Sequence, residues 1–361
     1  MVAMFKNIRP SMLPVLTSDA NDYGIDSYDS LCEFAARTCY KSESMMGEAP
    51  NFIQKCVANK HLDVFEHVNI SISVETDFDS IEMIGFYVRQ NWPYCNVYFP
   101  PSGKVMVMCA SLRVWREIAI KHKEFVTVLA MYAPKTFADI GSAEPLGIPV
   151  PLKITTSRMS NILGQEIVLL SMLDPEYPPL GDQPRNFFNK VDYWDDFGSV
   201  TFLVYGVSRT LTHQLVRHRL ASFSQQSQRY VDMEKGKWLP VMPPDMEMYM
   251  GDSEAQTIFQ NAWGVLESGY ARLRKIGIRK EDARYLLPNA AETQLVVTMN
   301  TRCFKNFLWQ RALDKAAQWE IRGLAQTMLR LIVMYGGQPF EDALRLEYGT
   351  LETMDSKYIL G

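Results

Sequence analysis

The chain echoes itself at long range, and nothing else in it constrains the fold as much. "FEHVNISISV" (65–74) reads like "FGSVTFLVYG" (197–206), and "LAMYAPKTFADI" (129–140) reads like "IVMYGGQPFEDA" (332–343). Between these anchors "YVRQN" (87–91) falls near the place of "LVRHR" (215–219), and "SLRVWREI" (111–118) near that of "NTRCFKNF" (300–307). Four matches in one order point to one supersecondary unit built twice, a tandem duplication whose first copy is degenerate. The competing reading is a single domain carrying a long insertion. At 361 residues the chain is long for one domain and comfortable for two. "SAEPLGIPVP" (142–151), with three prolines and a glycine between periodic segments, marks the boundary and gives halves over 1–145 and 150–361.

Local patterns predict the elements. Residues 28–40 space their apolar side chains for a helix, and 65–74 alternate as a strand does. Val207, Leu211 and Leu215 recur at i+4, so "VSRTLTHQLV" predicts an amphipathic helix with Gln214 one turn before Arg217 and His218. "SFSQQSQRY" (222–230) predicts an ordered extended segment, and 253–275 a helix. "QLVVTM" (294–299) predicts a strand leading to Asn300, the N-cap of a helix through about Leu313, followed by a long helix to Gly336. Trp309 and Trp319 are expected in the core. Strands and helices in both halves make the fold class α+β.

Charge narrows the function. The formal net charge is -4, which argues against a nucleic-acid or membrane surface, because such binding needs a broad basic field. Without an apolar run long enough to span a bilayer, the expected location is the cytosol. Six scattered cysteines read as reduced, mostly buried thiols. Yet from Ser208 to Val231 stand Arg209, His213, Arg217, His218, Arg219 and Arg229, and the first carboxylate is Asp232. Arginine's planar fork pairs with phosphate in bidentate fashion, so a focal cluster in an acidic chain fits a small phosphorylated ligand. A solvated basic helix face is the plainer reading, and the adjoining serines and glutamines speak against it. Taken alone, His218 reads as a satisfied core histidine. The histidines and carboxylates lack metal-ligand spacing, so no metal is expected. G-x-G-x-x-G, G-x-x-x-x-G-K-[ST] and G-x-S-x-G are absent, so redox chemistry would need a cofactor held outside a Rossmann framework.

"RHRLASFSQQS" has the form R-H-R, seven residues, then Ser, and "THQLVRHRLASFSQQSQRYV" resembles the flavin-dependent thymidylate synthases over its full length. "FAARTCY" (34–40), "HLDVFEH" (61–67), "ARYLLP" (283–288) and "NTRCFKNFLWQRALDKAAQWEI" (300–321) agree with that family. The resemblance covers 28–74 and 200–345 and implies an antiparallel sheet flanked by long helices. It also implies reductive methylation of dUMP to dTMP, with methylenetetrahydrofolate as carbon donor, FAD as cofactor and NADPH as reductant. On it, Arg217, His218, Arg219, Asn300, Arg302 and Asn306 border the FAD, as do His61, Asp63 and Glu66. Gln214, Arg217, Gln225, Gln226, Ser227, Gln228, Arg229, Arg284 and Arg311 match positions that contact dUMP. Arg311 matches the residue credited with favouring ionisation of the uracil, which a guanidinium in a partly desolvated pocket can do without an enzyme nucleophile.

Each half departs from the family pattern. Asp63 stands where Thr or Ser is common, "YWDDFGS" (193–199) lacks the His and Glu of "HLDVFEH", and the first half has "RQN" for "RHR" with His122 near the place of Arg311. The family assembles as a homotetramer with sites between subunits. The resemblance therefore implies a homodimer of fused halves, a pseudo-tetramer with two working sites. Competing functions are a flavin-dependent deoxyuridylate hydroxymethylase and a non-catalytic flavin- or nucleotide-binding regulator.

Overall fold

The chain's computed structural model describes residues 5–75, 78–100, 105–144, 158–161, 163–173, 194–233, 239–247 and 254–335. The boundary proposed at 142–151 lies almost wholly outside them, as do the echo at 336–343 and the helix end at Gly336. The strands are β1 (Lys6–Met12), β2 (Val15–Leu16), β3 (Asn69–Glu75), β4 (Asn96–Tyr98), β5 (Val105–Ser111), β6 (Arg158–Ser160), β7 (Glu166–Leu173), β8 (Ser199–Ser208), β9 (Ala221–Gln225) and β10 (Glu292–Asn300). They form two antiparallel sheets, one in the order β1-β3-β5-β4 and one in the order β2-β7-β8-β10-β9, with β6 on β7. β8 and β10 lie at the centre because "SVTFLVYGVS" and "ETQLVVTMN" are rich in β-branched and aromatic residues and are buried on both faces.

Helix α1 (Tyr28–Tyr40) opens on a reciprocal cap: Ser27 Oγ accepts from Ser30 N, and Ser30 Oγ accepts from Ser27 N. It packs against β9 and β10, and its apolar residues share a core with Ile70, Ile72 and Val74 of β3. A helix covered on both sides must neutralise its charges, and Glu33 and Arg37 do so as a buried pair at 2.7 Å. A second core lies on the other face of the second sheet, where helices α8 (Thr301–Leu308) and α9 (Trp319–Tyr335) cover it. The remaining helices named below are α2 (Phe52–Ala58), α3 (Phe78–Asn91), α4 (Leu112–Lys121), α5 (Val126–Tyr132), α6 (Arg209–Leu215) and α7 (Glu254–Lys275).

The sheets are built on one plan. β5 runs straight into α4 and β10 into α8, and each helix is capped by the last strand residue, Ser111 and Asn300 respectively. At the same offset in each half, Leu112 N donates to Val68 O at 2.9 Å and Thr301 N donates to Gly198 O at 3.0 Å. The halves meet through buried polar groups. His67 contacts Thr298 Oγ1 and Ser224 Oγ, each at 2.9 Å, and Thr201 Oγ1 donates to the His67 carbonyl. The N-terminus is also shared: β1 lies in the first sheet, whereas β2 pairs with β7 in the second.

Several expectations change, and Trp319 is half-buried rather than core. Val207 belongs to a strand, because β8 continues through Gly206 to Ser208; Gly206 sits at φ 65° with its backbone against Gly164, where a Cβ would lie 2.4 Å from the carbonyl oxygen. Helix α6 therefore starts at Arg209 and stops at Leu215, and Arg217 and His218 lie in the following turn with opposite exposure. Trp309 is 56% exposed rather than core, since the helix after Asn300 opens into a single π turn at Trp309–Leu313. The strand expected at 65–74 starts only at Asn69, because Asp63–His67 form a 3-10 turn, whereas α1, β10 and the described part of α7 fall where the pattern places them.

Candidate functional site

The R-H-R corner is set by a cap and a buried acid. Ser208 Oγ accepts from Leu211 N to start α6 and donates to Glu320 Oε2 at 2.6 Å, while Ser208 N donates to Glu320 Oε1 at 2.6 Å. Burial pushes the Glu320 carboxyl above its ordinary range, and the two Ser208 bonds oppose that rise. This ties the start of α9 to the end of β8. Gln214 Nε2 reaches Gln318 Oε1 at 3.5 Å, and Gln318 in turn accepts from Glu320 N.

Beyond α6 the chain turns sharply. His218 goes in, 4% exposed, while Arg217 and Arg219 stay out. Arg311 Nε donates to His218 Nε2 at 3.2 Å, and the imidazole stands edge-on to Phe307. A guanidinium only donates, so Nε2 must be an acceptor and the ring neutral. Its pKa is correspondingly lowered to about 4, first by burial and then by the Arg311 charge. Arg311 is presented by the π turn, the kind of helix defect often found at functional sites. Among the described residues no carboxylate pairs with Arg217, Arg219 or Arg311, whereas Arg37, Arg113, Arg116 and Arg302 are all ion-paired.

β9 carries the chain on to Gln225, whose Nε2 donates to Thr212 and Thr293. Gln226 is buried and its Nε2 has no hydrogen-bond partner, an orphaned donor in the middle of the polar run. Ser227 N donates to the Cys39 carbonyl at the end of α1, and Ser227 Oγ accepts from Arg229 N; among the described residues no base is bonded to this hydroxyl. Gln228 is half-buried, and Arg229 lies 3.7 Å from Glu281. Arg284 turns its Nε to the Glu281 carbonyl. Arg209, half-buried, has its pKa lowered first by burial and then by the Arg284 charge. Spacing alone includes Arg209 in the basic run without giving it a place; its signal was its position directly after the capping Ser208. The two thiols bordering this region, Cys39 and Cys303, are pushed up by burial to about 12 and about 11, so neither offers a thiolate near neutral pH.

The first half contributes from below α1. Glu66 Oε2 accepts from Ser222 Oγ at 2.9 Å, three residues after Arg219, so Glu66 is brought to the R-H-R strand. His61 pairs with Asp63 at 3.3 Å and stands edge-on to Tyr40, which packs on Tyr230. The Asp63 hydrogen bond, then that of Cys56, raises His61 to about 10. Asp63→Asn is therefore expected to return His61 toward its ordinary pKa near 6.5, as followed by NMR titration of the imidazole; a His61 that stays charged above pH 8 in that variant would show that Asp63 is not the cause. Asn300 caps α8 through its side chain, Arg302 pairs with Asp196 at 2.7 Å, and Asn306 accepts from Gln310. Arg302 is thus held by the second half's own carboxylate, not by Glu66.

This arrangement offers unpaired guanidinia, a neutral imidazole and an orphaned amide, and it suits an anionic heterocycle better than covalent attack. The family model described as thymidylate synthase complementing protein matches residues 24–81 and 196–334. The flavin-dependent thymidylate synthase of Geobacter sulfurreducens is 43% identical over 148 residues, 41% of this chain and 62% of that protein. The enzyme of the same name from Nitratidesulfovibrio vulgaris is 45% identical over 141 residues, 37% of this chain and 55% of that one. The chain thus spans about three fifths or less of the length of these relatives. A solved thymidylate synthase X from Helicobacter pylori, with FAD and dUMP, is 25% identical over 42% of this chain and 76% of that chain, with a TM-score of 0.34, too slight a likeness to build on. The two matched stretches, together more than half of the chain, join the Glu66 segment of the first half to the R-H-R corner and Arg311 of the second, and the chain belongs to the thymidylate synthase complementing protein family.

Proposed function

We propose that the protein is an FAD-dependent thymidylate synthase that converts dUMP to dTMP with methylenetetrahydrofolate as carbon donor and NADPH as reductant. The observation that carries this reading is the corner itself: Arg311 bonded to a neutral His218, flanked by Arg217 and Arg219 without carboxylates, with the orphaned amide of Gln226 further along the same polar run. The bound flavin supplies the hydride. The chain's residues do the rest: Arg217, Arg229 and Arg284 neutralise the nucleotide phosphate, with Arg209 added to that set. Gln214 and the run Gln225, Gln226, Ser227 and Gln228 orient the pyrimidine, and Arg311 stabilises negative charge on it. Arg217, His218, Arg219, His61, Asp63 and Glu66 form the flavin side, with Asn300, Arg302 and Asn306 assigned to a flavin as well. Buried Gln226 Nε2 fits a ligand carbonyl, because an unpartnered buried amide is costly unless something accepts from it.

The test is anaerobic. NADPH-reduced flavoprotein mixed with dUMP and methylenetetrahydrofolate is expected to reoxidise and to form dTMP. A flavin that stays reduced with both substrates present overturns the reading, and a hydroxymethylated product would replace it with the hydroxymethylase.

The two halves are further proposed to derive from a tandem duplication and to stand in for two subunits. Support comes from the shared strand order, the matched strand-to-helix caps and the matched backbone bonds at Leu112 and Thr301. A homodimer would then make a pseudo-tetramer with two working sites, and a solution mass of four chains would sink that assembly. No helix of the described residues is long and apolar enough to cross a membrane, in keeping with a cytoplasmic enzyme.

A further inference from the structure

The common plan of the two sheets gives every residue near the interface a counterpart, and the counterparts form two polar clusters. β3 starts at Asn69 opposite Ser111, and β8 starts at Ser199 opposite Asn300. Three residues before each start is a carboxylate, Glu66 or Asp196; two residues after each opposing strand end is an arginine, Arg113 or Arg302. Arg113 Nη1 binds Glu66 Oε1 at 2.5 Å, and Arg302 binds Asp196 at 2.7 Å and 3.2 Å. Each acidic residue is then reached from the other half's edge strand. Ser222 Oγ donates to the Glu66 carboxylate at 2.9 Å, and Asn96 Nδ2 donates to the Asp196 carbonyl at 2.7 Å. Ser222 lies opposite Thr298 and Asn96 opposite Cys109, each two residues before its strand's end, so these two are counterparts as well. This is the reciprocal contact pattern of a two-fold interface, here within one chain.

The clusters differ in what precedes the edge strand. Before Ser222 come Arg217, His218 and Arg219, with Arg311 on His218. Before Asn96 come Arg89, Gln90 and Asn91, and these are spent on the protein: Arg89 donates to the Val97 carbonyl and Asn91 to that of Tyr87. His122, near the place of Arg311, is enclosed by Phe5, Tyr87 and Trp92. Among the described residues, only the Glu66 cluster of the two therefore adjoins arginines without a carboxylate partner, and the guanidinium in it is Arg113.

We propose that Arg113, from the first half, is the arginine that completes the flavin side of the R-H-R site, fixing Glu66 and offering its fork to the cofactor's phosphates. Its counterpart Arg302 is held by Asp196 at the matching place in the other half. Arg113 is suited to both duties, because its side chain is 41% exposed while it holds Glu66 and lies 3.8 Å from Glu117. The assignment rests on the flavin-enzyme reading above.

The test uses the full chain stripped of flavin, titrated with FAD by fluorescence quenching, as wild type and as Arg113→Ala, Arg113→Lys and, as the control from the other cluster, Arg89→Ala. Arg113→Ala is expected to weaken FAD binding about ten- to a hundredfold, the scale of a lost charge-assisted contact. Arg113→Lys is expected to recover at least part of that loss, and Arg89→Ala to stay within about threefold of wild type. Melting temperatures are read on all four proteins. Arg113→Ala binding like wild type, or Arg89→Ala losing as much, overturns the assignment while leaving the enzyme reading intact. An Arg113→Ala loss matched by a fall in melting temperature and not recovered by lysine overturns it in favour of a structural role. Wild-type chain that takes up no FAD overturns the flavin reading and this assignment together.

Discussion

Arg311→Ala is expected to slow dTMP formation by about 10²–10³-fold with FAD still bound, the usual cost of deleting one charge-stabilising donor from an active site. Arg311 Nε is committed to His218, and among the described residues its terminal amino groups have no protein acceptor. The side chain is thus oriented by one bond and free to stabilise an anion with the others. Arg311→Lys is expected to lose activity too, by at least about tenfold, since a compact ammonium cannot brace sideways on the imidazole and still present a planar fork. His218 gives a second readout. Its pKa of about 4 is set first by burial and only then by Arg311, so Arg311→Ala should raise it while leaving it below 6.5. Single-turnover flavin reoxidation and NMR titration of His218 check the two parts. Reoxidation within about threefold of wild type would remove Arg311 from the chemistry, and an unmoved His218 would remove the coupling.

His67 is expected to contribute roughly 3 kcal/mol to the acid sensitivity of the fold, about 1.4 kcal/mol for each unit of its shift. The ring is enclosed between the halves with Thr298 on one nitrogen and Ser224 on the other, and burial lowers its pKa to about 4. In the unfolded chain the same ring takes up a proton near pH 6.5. Between these values the unfolded state binds more protons, so stability is complete above about 6.5 and is lost as pH falls toward 4. His218 acts in the same sense. The raised carboxyls Asp29, Glu43, Glu292 and Glu320 act in the opposite one, so the total slope is not diagnostic. The informative quantity is the difference between wild type and His67→Asn in urea unfolding at pH 7, 5.5 and 4.5. The variant should start less stable and fall less steeply, and parallel lines would show that His67 does not stay neutral when folded.

Much of this was legible because it is local. The helix at 28–40, the strand at 294–299, which the structure extends to 292–300, and the N-cap role of Asn300 each follow from spacing and side-chain chemistry within a dozen residues. The arginine run was legible as a carboxylate-free cluster for the same reason, since a stretch of guanidinia without a carboxylate is a property of the chain itself. Periodicity misread 206–216, because a strand whose alternate residues are apolar and a short helix that follows it can together mimic an i+4 repeat. The exposure of Trp309 was out of reach for a similar reason: nothing in "WQRAL" announces that the helix widens there by one residue.

The sequence by itself determined which chemical groups are present and which short elements carry them: the R-H-R turn, the Ser and Gln run, Arg311 and the "HLDVFEH" segment. Only the tertiary structure decided which of these meet. Glu66 and Ser222 are 156 residues apart in the chain, and His67 and Thr298 are separated by 231. Their contacts depend on the two sheets enclosing α1, and that packing is chosen by the burial of surfaces spread along the whole chain. The same packing set Arg113 against Glu66 and Arg302 against Asp196, a distinction invisible to motif matching because both arginines occupy the same place in their own halves.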